Sequence, residues 1–532
     1  MSSPALVDDA PLRGWRLWLF TANLALGTIV VLSNVAGYMV TIPYASGSLG
    51  AVTPSFGSFG TTDYMVGLAL GLPFARWFSG RFGDYRVYVV AFLLYAVAAW
   101  VCATSATLWQ FLPGRIVLGF LGGVTLPLGQ SLALKEFPEH SRTWAVGIWG
   151  VLSMTPFTIG VFVSGWYAEF LSWRFVLYTD IVAGLLIAGA VGALLYGRGF
   201  ETRIVRFDFV GVVLLTAIVY AAQTILGLGN DLDWFASPVL QVALVVVALG
   251  LPVFVIWELG ERHPVLDLRL FGRRNYAIAT FCSFFGFLII QGLLAMMANQ
   301  LQLLNGYTPS LVGLIYLSMF VVAGPSVAIL HELNKTVDVR LLSFFDFLGL
   351  ASTLTWFGLF DRLAWFDQLT WPALFFGFFI AFFFAPLASM AMHGLSGARL
   401  IRAAEELALL RTVAGAYGIA LLGVVQFRRA PFHQLDLANH VGGRSFASLD
   451  LLSQITAKLE AAGVNSGVIT RTLGNLMHEQ SWLLGMNDAF LLGAVVFVAL
   501  AILVWFAHPT MIAFWRRGDR AHLEAEELME SP

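Results

Sequence analysis

The sequence predicts an all-α integral membrane protein that threads the bilayer fourteen times. Three observations carry that prediction. Hydrophobic residues make up 58% of the 532 positions and charged residues only 12%, whereas a soluble domain carries about twice that charged share. Apolar runs long enough to cross the hydrocarbon core as helices, about 20 residues each, recur from one end of the chain to the other. The connections between those runs alternate between rich and poor in Lys and Arg, as the positive-inside rule requires.

Taken in order, the first six spans lie near 18–42, 60–79, 86–106, 109–134, 144–168 and 174–196. Two more lie near 208–228 and 238–258, and the last six near 276–303, 310–332, 341–360, 371–395, 404–427 and 486–507. The first run follows a short polar tail, Met1–Arg16, and reads as a membrane helix rather than a cleaved leader. Asn34 and Pro43 stand where a cleavage region needs small residues. With the amino terminus inside, twenty-one of the thirty basic residues fall on cytoplasmic connections, among them Arg76, Arg81 and Arg86, then Arg262, Arg269, Arg273 and Arg274. Arg115 and Arg411 lie within spans. Dropping any one helix inverts the bias of everything downstream, so the expected topology is fourteen crossings with both termini cytoplasmic.

The basic stretches 197–207 and 259–275 bracket the seventh and eighth spans as a separable pair. The expected organisation is an N-terminal six-helix bundle (1–200), a two-helix insert (201–262) and a C-terminal six-helix bundle (263–532). Two such bundles with a substrate site between them at mid-membrane form a known transporter plan. One long outer loop, 428–485, interrupts the last bundle. Within it Leu449, Leu452, Ile455 and Leu459 recur at helical spacing, which fits either a solvated helix packed on the outer mouth or a docking site.

Several function classes drop out. A net charge of −2 gives no reason to expect nucleic acid or an acidic macromolecular partner. Cys102 and Cys282 fall in apolar stretches and read as small packing residues rather than a disulfide. His331 and His393 have no second ligand at usable spacing, so no metal is expected. With no phosphate-binding loop or nucleophile arrangement either, the chain is expected to be neither an enzyme nor an ATP-driven pump, and to carry no cofactor.

A set of short stretches adds a family likeness. They are Ala145-Val-Gly-Ile-Trp-Gly150 through Pro156 and Gly160 to Ser172-Trp-Arg-Phe-Val-Leu177, then Phe207-Asp-Phe-Val-Gly211 and Trp257-Glu258. His263-Pro264, Leu266-Asp-Leu-Arg-Leu-Phe271, Leu301-Gln-Leu-Leu-Asn-Gly-Tyr307 and Arg411-Thr-Val-Ala-Gly-Ala-Tyr-Gly-Ile-Ala420 complete it. In this order and at these spacings the chain resembles the fourteen-helix drug:proton antiporter branch of the major facilitator superfamily, including the type that works with a periplasmic adaptor. The resemblance implies the major facilitator fold, a bacterial inner membrane, export of small amphipathic molecules in exchange for protons, and an adaptor at the outer loop. It also marks departures. Asn34 stands where the first helix of the family carries aspartate, nine residues before Pro43. The loop after the second span, Arg76-Trp-Phe-Ser-Gly-Arg-Phe-Gly-Asp-Tyr-Arg86, has Arg76 at a glycine position, Gly80 at an aspartate, and Asp84 displaced. Thr155 replaces a glycine beside Pro156, and Leu118 a glutamine near Arg115 and Gly119.

Asn34 cannot titrate, so proton coupling has to use another acid. Ionisable groups inside spans are functional candidates by default, and three are singled out. Asp63 lies near the outer start of the second span. It reads either as a proton carrier beside a partly dry cavity or as a water-exposed acid favoured by the helix dipole. Asp180 occupies a usual asparagine position in the sixth span and would recreate the acid lost at 34. Asp346 sits among aromatics and either couples or snorkels toward Arg340 or Lys335. Arg115 is either a fixed cation facing the central cavity or a strut to backbone carbonyls, and Arg411 either a gating strut or a cavity residue. Arg402 and Glu406, four apart, read as a surface ion pair. Asn34, Tyr38, Tyr64, Gln130, Gln223, Gln291, Asn299 and Gln302 outline a polar cavity or supply interhelical hydrogen bonds. Arg81, Gly83, Pro156 and Gly160 are the candidates for gating, because rocking bundles need close, smooth helix contacts.

Overall fold

The computed structural model of the chain describes residues 12–50, 53–137, 159–197, 206–361, 364–440, 446–463 and 465–509. Most of the predicted fifth span, with Trp149 and Pro156, lies outside the described residues. Among them are fifteen α-helices, two 3-10 turns and no strand. The N-terminal six are α1 (Trp15–Leu49), α2 (Pro54–Phe82), α3 (Asp84–Thr104), α4 (Leu108–Glu136), α5 (Ile159–Phe170) and α6 (Phe175–Leu194). A pair follows, α7 (Phe209–Leu228) and α8 (Pro238–Gly260). Then come α9 (Arg274–Leu303), α10 (Pro309–Thr336), α11 (Val339–Phe357), α12 (Phe366–Met392), α13 (Gly397–Asn439), α14 (Phe446–Ala461) and α15 (Ser466–Val504).

Helices occupy all fourteen predicted spans, the fifth over its described residues from Ile159 on. Eleven are long and apolar enough to cross a membrane by length and composition. Their starts follow from local chemistry: Asp208, Thr308, Asp338 and Asn465 each accept a backbone N–H from the first turn that follows, satisfying donors that have no intrahelical partner. Proline is tolerated in the interiors, as at Pro43, Pro127 and Pro386, because neighbouring helices re-satisfy the freed carbonyls.

The expected outer loop 428–485 is mostly helix. α13 runs on to Asn439, α15 begins at Ser466, and the amphipathic stretch forms α14 between them. Hydropathy marks where lipid stops, not where a helix stops. With Pro431 its only proline, α13 continues as helix beyond its apolar stretch to Asn439.

Packing repeats itself between the two halves. α2 on α4 is matched by α10 on α12, α3 on α6 by α11 on α15, and α1 on α5 by α9 on α13. The halves meet along α5 with α10 and α2 with α13, while α1 touches α9. α7 lies against both α2 and α13 and carries α8, whose Val239, Val242, Val245 and Ile256 face outward. Both cysteines are free and buried, as expected from their packing.

Within the first half, α2 and α4 approach backbone to backbone. A Cβ on Gly119 would overlap the Tyr64 carbonyl, and one on Gly67 the carbonyl of Ile116. Membrane helices associate largely through such small-residue contacts. This contact matters because α4 carries Arg115 and α2 carries the groups that face it.

Candidate functional site

The midpoint of the first half holds a buried polar network. Asn34 on α1 is 1% exposed and Arg115 on α4 is fully buried. Arg115 donates through Nη1 to Asn34 Oδ1 at 2.7 Å, through Nη2 to the Asn34 carbonyl at 3.1 Å, and through Nε to the Gly60 carbonyl at 2.7 Å. The other end of the Asn34 amide donates to Asp180 Oδ2 on α6 at 2.7 Å and to the Tyr95 hydroxyl on α3 at 3.0 Å. The amide can point only one way here, since its oxygen must face the cation and its nitrogen the carboxylate. Arg115 is thus tied to two backbone carbonyls and to the Asn34 amide, with Asp180 on the far side of that amide.

Aromatic rings close the network. The Arg115 guanidinium carbon lies 4.5 Å from the ring centroid of Tyr64 and 4.8 Å from that of Tyr38, in range for cation–π attraction. Tyr64 donates to the Val31 carbonyl at 2.7 Å and stands 3.5 Å from the Tyr95 hydroxyl. Four helices therefore converge on one amide. Asp180 and Arg115 share it with no hydrogen bond or ion pair directly between them among the described residues.

The other two acids sit elsewhere. Asp63 does not lie at an exposed helix start: α2 begins at Pro54, and Asp63 is fully buried more than two turns inside it. It lies one turn from Gly60, and neither of its oxygens has a hydrogen-bond partner among the described residues. Asp346 on α11 is 2% exposed and likewise without a partner. Of the two snorkelling partners considered, Arg340 is taken by Asp338 at 2.8 Å and by the Ala507 carbonyl, and the Lys335 side chain lies outside the described ones. The structure brings Asp180 to the network, sets Asp63 a turn away, and leaves Asp346 in the second half.

The predicted cavity polars divide similarly. Gln291 on α9 is fully buried and reaches the Met39 sulfur on α1 at 3.9 Å, while Gln302 donates to the Val40 carbonyl at 2.9 Å. Gln291 and Gln302 thus line the α1–α9 seam, while Asn299 on α9 has its Oδ1 unpartnered among the described residues. Gln223 on α7 is buried with neither amide atom paired among the described residues. Arg411 on α13 lies against Phe384 and Phe287 at 4.8 and 5.8 Å.

Contacts between the halves cluster at both ends. On the α5–α10 side, Gly165 admits the Pro309 carbonyl, and Glu169 accepts from the Ser310 backbone at 3.1 Å and from its hydroxyl at 2.5 Å. Gly160 makes room in the same way for Ser33 of α1. At the opposite end Arg76 of α2 pairs with Glu405 of α13 at 3.5 Å. The anticipated Arg402–Glu406 pair does not form; Glu406 accepts the Asp267 backbone at 2.7 Å and the Tyr276 hydroxyl at 2.9 Å, since a carboxylate only 3% exposed takes the donors packed against it. A cavity of about 380 Å³ opens beside it, lined by Arg76, Trp77, Phe207, His263 and Arg402. Gly83 forms the whole joint between α2 and α3, at φ 87°, a conformation that favours glycine. Arg81 lies over the Trp77 ring at 6.0 Å, and the displaced Asp84 holds Lys135 across α3 and α4.

Three roles were missed from sequence. Tyr95 belongs to the network, but a tyrosine in an apolar run carries no signal of its own. Arg174 donates to the carbonyls of Ala103 and Ser105, tying the start of α6, and so Asp180, to the end of α3. The Phe207–Gly211 and Trp257–Phe271 stretches meet: Trp257 and Gly211 both donate to Asp208, and the Leu266 backbone to Glu258. The spacing of those stretches was the available clue.

A family profile described as Major Facilitator Superfamily matches residues 24–420. The chain is 27% identical to the fatty acid resistance protein FarB of Neisseria gonorrhoeae, over 94% of this chain and 98% of that protein. It is 28% identical to the multidrug export protein EmrB of Haemophilus influenzae, over 94% of this chain and 97% of that one. Among solved structures, the POT family transporter PepTSo matches with a TM-score of 0.57 at 14% identity, covering 93% of this chain and 99% of that one, which bears on fold alone.

Proposed function

The chain belongs to the major facilitator superfamily, and from that premise we propose that it exports small amphipathic molecules by proton antiport through alternating access. Its relatives named for multidrug export and fatty acid resistance align over nearly their full length, which supports efflux as the direction of transport. The observation that carries the coupling is the Asp180–Asn34–Arg115 network: the titratable group absent at position 34 is present one hydrogen bond away. Proton uptake on Asp180 loosens its hold on Asn34, frees that amide to follow Arg115, and lets α1 and α6 shift against α4. The paired contacts at the two ends, Glu169 with Ser310 and Arg76 with Glu405, supply the gates that alternate.

The same reading places fourteen crossings in a bacterial inner membrane with both termini cytoplasmic, in two six-helix bundles joined by the α7–α8 insert. The helical extension formed by α13, α14 and α15 then projects outward. Its exposed Phe432, Leu435, Val468 and Leu476 offer apolar surface to a periplasmic adaptor. The test is transport by purified protein in proteoliposomes with and without an imposed pH gradient. Gradient-dependent movement of an amphipathic dye supports antiport, and equal rates in both conditions would leave a facilitator.

A further inference from the structure

We propose that Arg411 is the anion-recognition group of the transport path, so that the amphiphiles this chain handles carry a carboxylate, sulfonate or similar negative group. The inference rests on the export reading and names its substrate class. Arg115 and Arg411 both lie well inside predicted spans, and their situations are opposite. Arg115 is committed to Asn34 and to the Gly60 carbonyl, and an incoming anion would have to dismantle that network. Arg411 has no hydrogen-bond acceptor and no acidic partner among the described residues; its recorded neighbours are the rings of Phe384 on α12 and Phe287 on α9.

The acids able to neutralise it are engaged or lie elsewhere: the unpaired Asp63 of α2 sits one turn from Gly60, on the side of Arg115. Glu405 pairs with Arg76, and Glu406 takes the Asp267 backbone and the Tyr276 hydroxyl. Asp346, the unpaired acid of the same half, stands on α11, which packs on α12 and α15. Nor does Arg411 face lipid. One turn further along α13, a Cβ on Gly415 would come within 2.5 Å of Met65 on α2 and 2.7 Å of Phe287, so this face of the helix is the seam between the two halves. Arg411 itself is partly exposed there. An uncompensated cation inside a membrane marks a substrate or ion path. Rings stacked on a guanidinium leave its in-plane N–H fork free, and that fork matches a carboxylate or sulfonate in two parallel hydrogen bonds. The same rings offer contact to the apolar body of the ligand.

The test uses the full chain in lipid nanodiscs and two probes with one aromatic skeleton, anilinonaphthalenesulfonate and the uncharged phenylnaphthylamine. The wild-type chain is expected to bind the sulfonate about ten-fold or more tightly than the amine, the worth of hydrogen bonds to a charged group. R411Q removes that preference, and R411K, which keeps the charge but not the fork, retains part of it. No saturable sulfonate binding, or a sulfonate-to-amine ratio that R411Q leaves unchanged, overturns the assignment. Transport of both probes is followed separately in everted vesicles. A chain that binds the anion through Arg411 yet moves neither probe would remove the export reading and leave this site standing.

Discussion

The Asn34 amide reaches Asp180 across the gap between α1 and α6 at 2.7 Å, while the same side chain holds Arg115 by its oxygen. An acid and a cation are thereby linked through one neutral group. If Asp180 is the proton carrier, D180N abolishes the response of export to a pH gradient. N34D alone sets two carboxylates within hydrogen-bond reach, where like charges compel them to share a proton, and shifts the pH profile. The double exchange N34D/D180N swaps acid and amide, setting the carboxylate directly against Arg115, and is expected to recover gradient-driven export only in part. Proteoliposome flux at graded pH differences reads all three, and a fully coupled D180N would remove Asp180 from the mechanism.

Arg115 satisfies three acceptors that have no access to water. Removing one partner from a buried charged network costs about 3–5 kcal/mol, so R115A lowers the thermal unfolding temperature of the purified protein markedly. R115K is expected to recover little, since an ammonium cannot reproduce the fork that spans Asn34 and Gly60. Unfolding at the wild-type temperature in R115A would mean that the network contributes nothing to the fold.

How much of this was legible beforehand depends on the kind of signal each feature leaves. The all-helical fold and the order of its apolar helices were legible, because lipid forces every backbone amide into a helix and apolar length reports it. The helical run through 428–439 was not, because hydropathy falls at the lipid boundary while α13 continues. Asp180 was legible as an acid at an asparagine position, but its hydrogen bond to Asn34 depends on how α6 is tied to α3 through Arg174. Asp63 was placed too near the surface, because proline at the true start of α2 lies nine residues earlier in a polar, glycine-rich stretch that hydropathy discards. Glu406 read as a surface ion pair because its partners, Asp267 and Tyr276, are distant in sequence.

Glu169 offers a pH test outside the membrane spans. Burial pushes its carboxyl up, but hydrogen bonds from Ser310 outweigh that and hold it below the ordinary carboxylate range. A carboxylate held low in the latched state contributes its stabilisation above the ordinary value and loses it as the pH falls through the lowered one. The α5–α10 contact is therefore expected to persist through mildly acidic medium and to open only below the usual carboxylate range. Spin-label distances between the outer ends of α5 and α10 as a function of pH follow it. E169Q should leave those distances independent of pH, and a transition near neutrality in the wild type would exclude Glu169 as the latch.

The close packing of α2 on α4 makes the final prediction, because it joins stability to the site. Gly119 lies one turn beyond Arg115 on α4, and its missing Cβ is the space occupied by the Tyr64 carbonyl of α2. G119A must push α2 away, which overpacking data put at about 1–3 kcal/mol. The same displacement lengthens the 2.7 Å bond from Arg115 to Gly60 and draws Tyr64 off the guanidinium. Gly189, inside α6 with nothing within 4 Å of an added Cβ, is the control: there alanine improves the helix by about 0.5–1 kcal/mol. G119A should thus lower both the unfolding temperature and the gradient-driven flux, while G189A raises the first and spares the second. Equal effects at the two positions would show that α2 and α4 hold Arg115 in place by something other than their closeness.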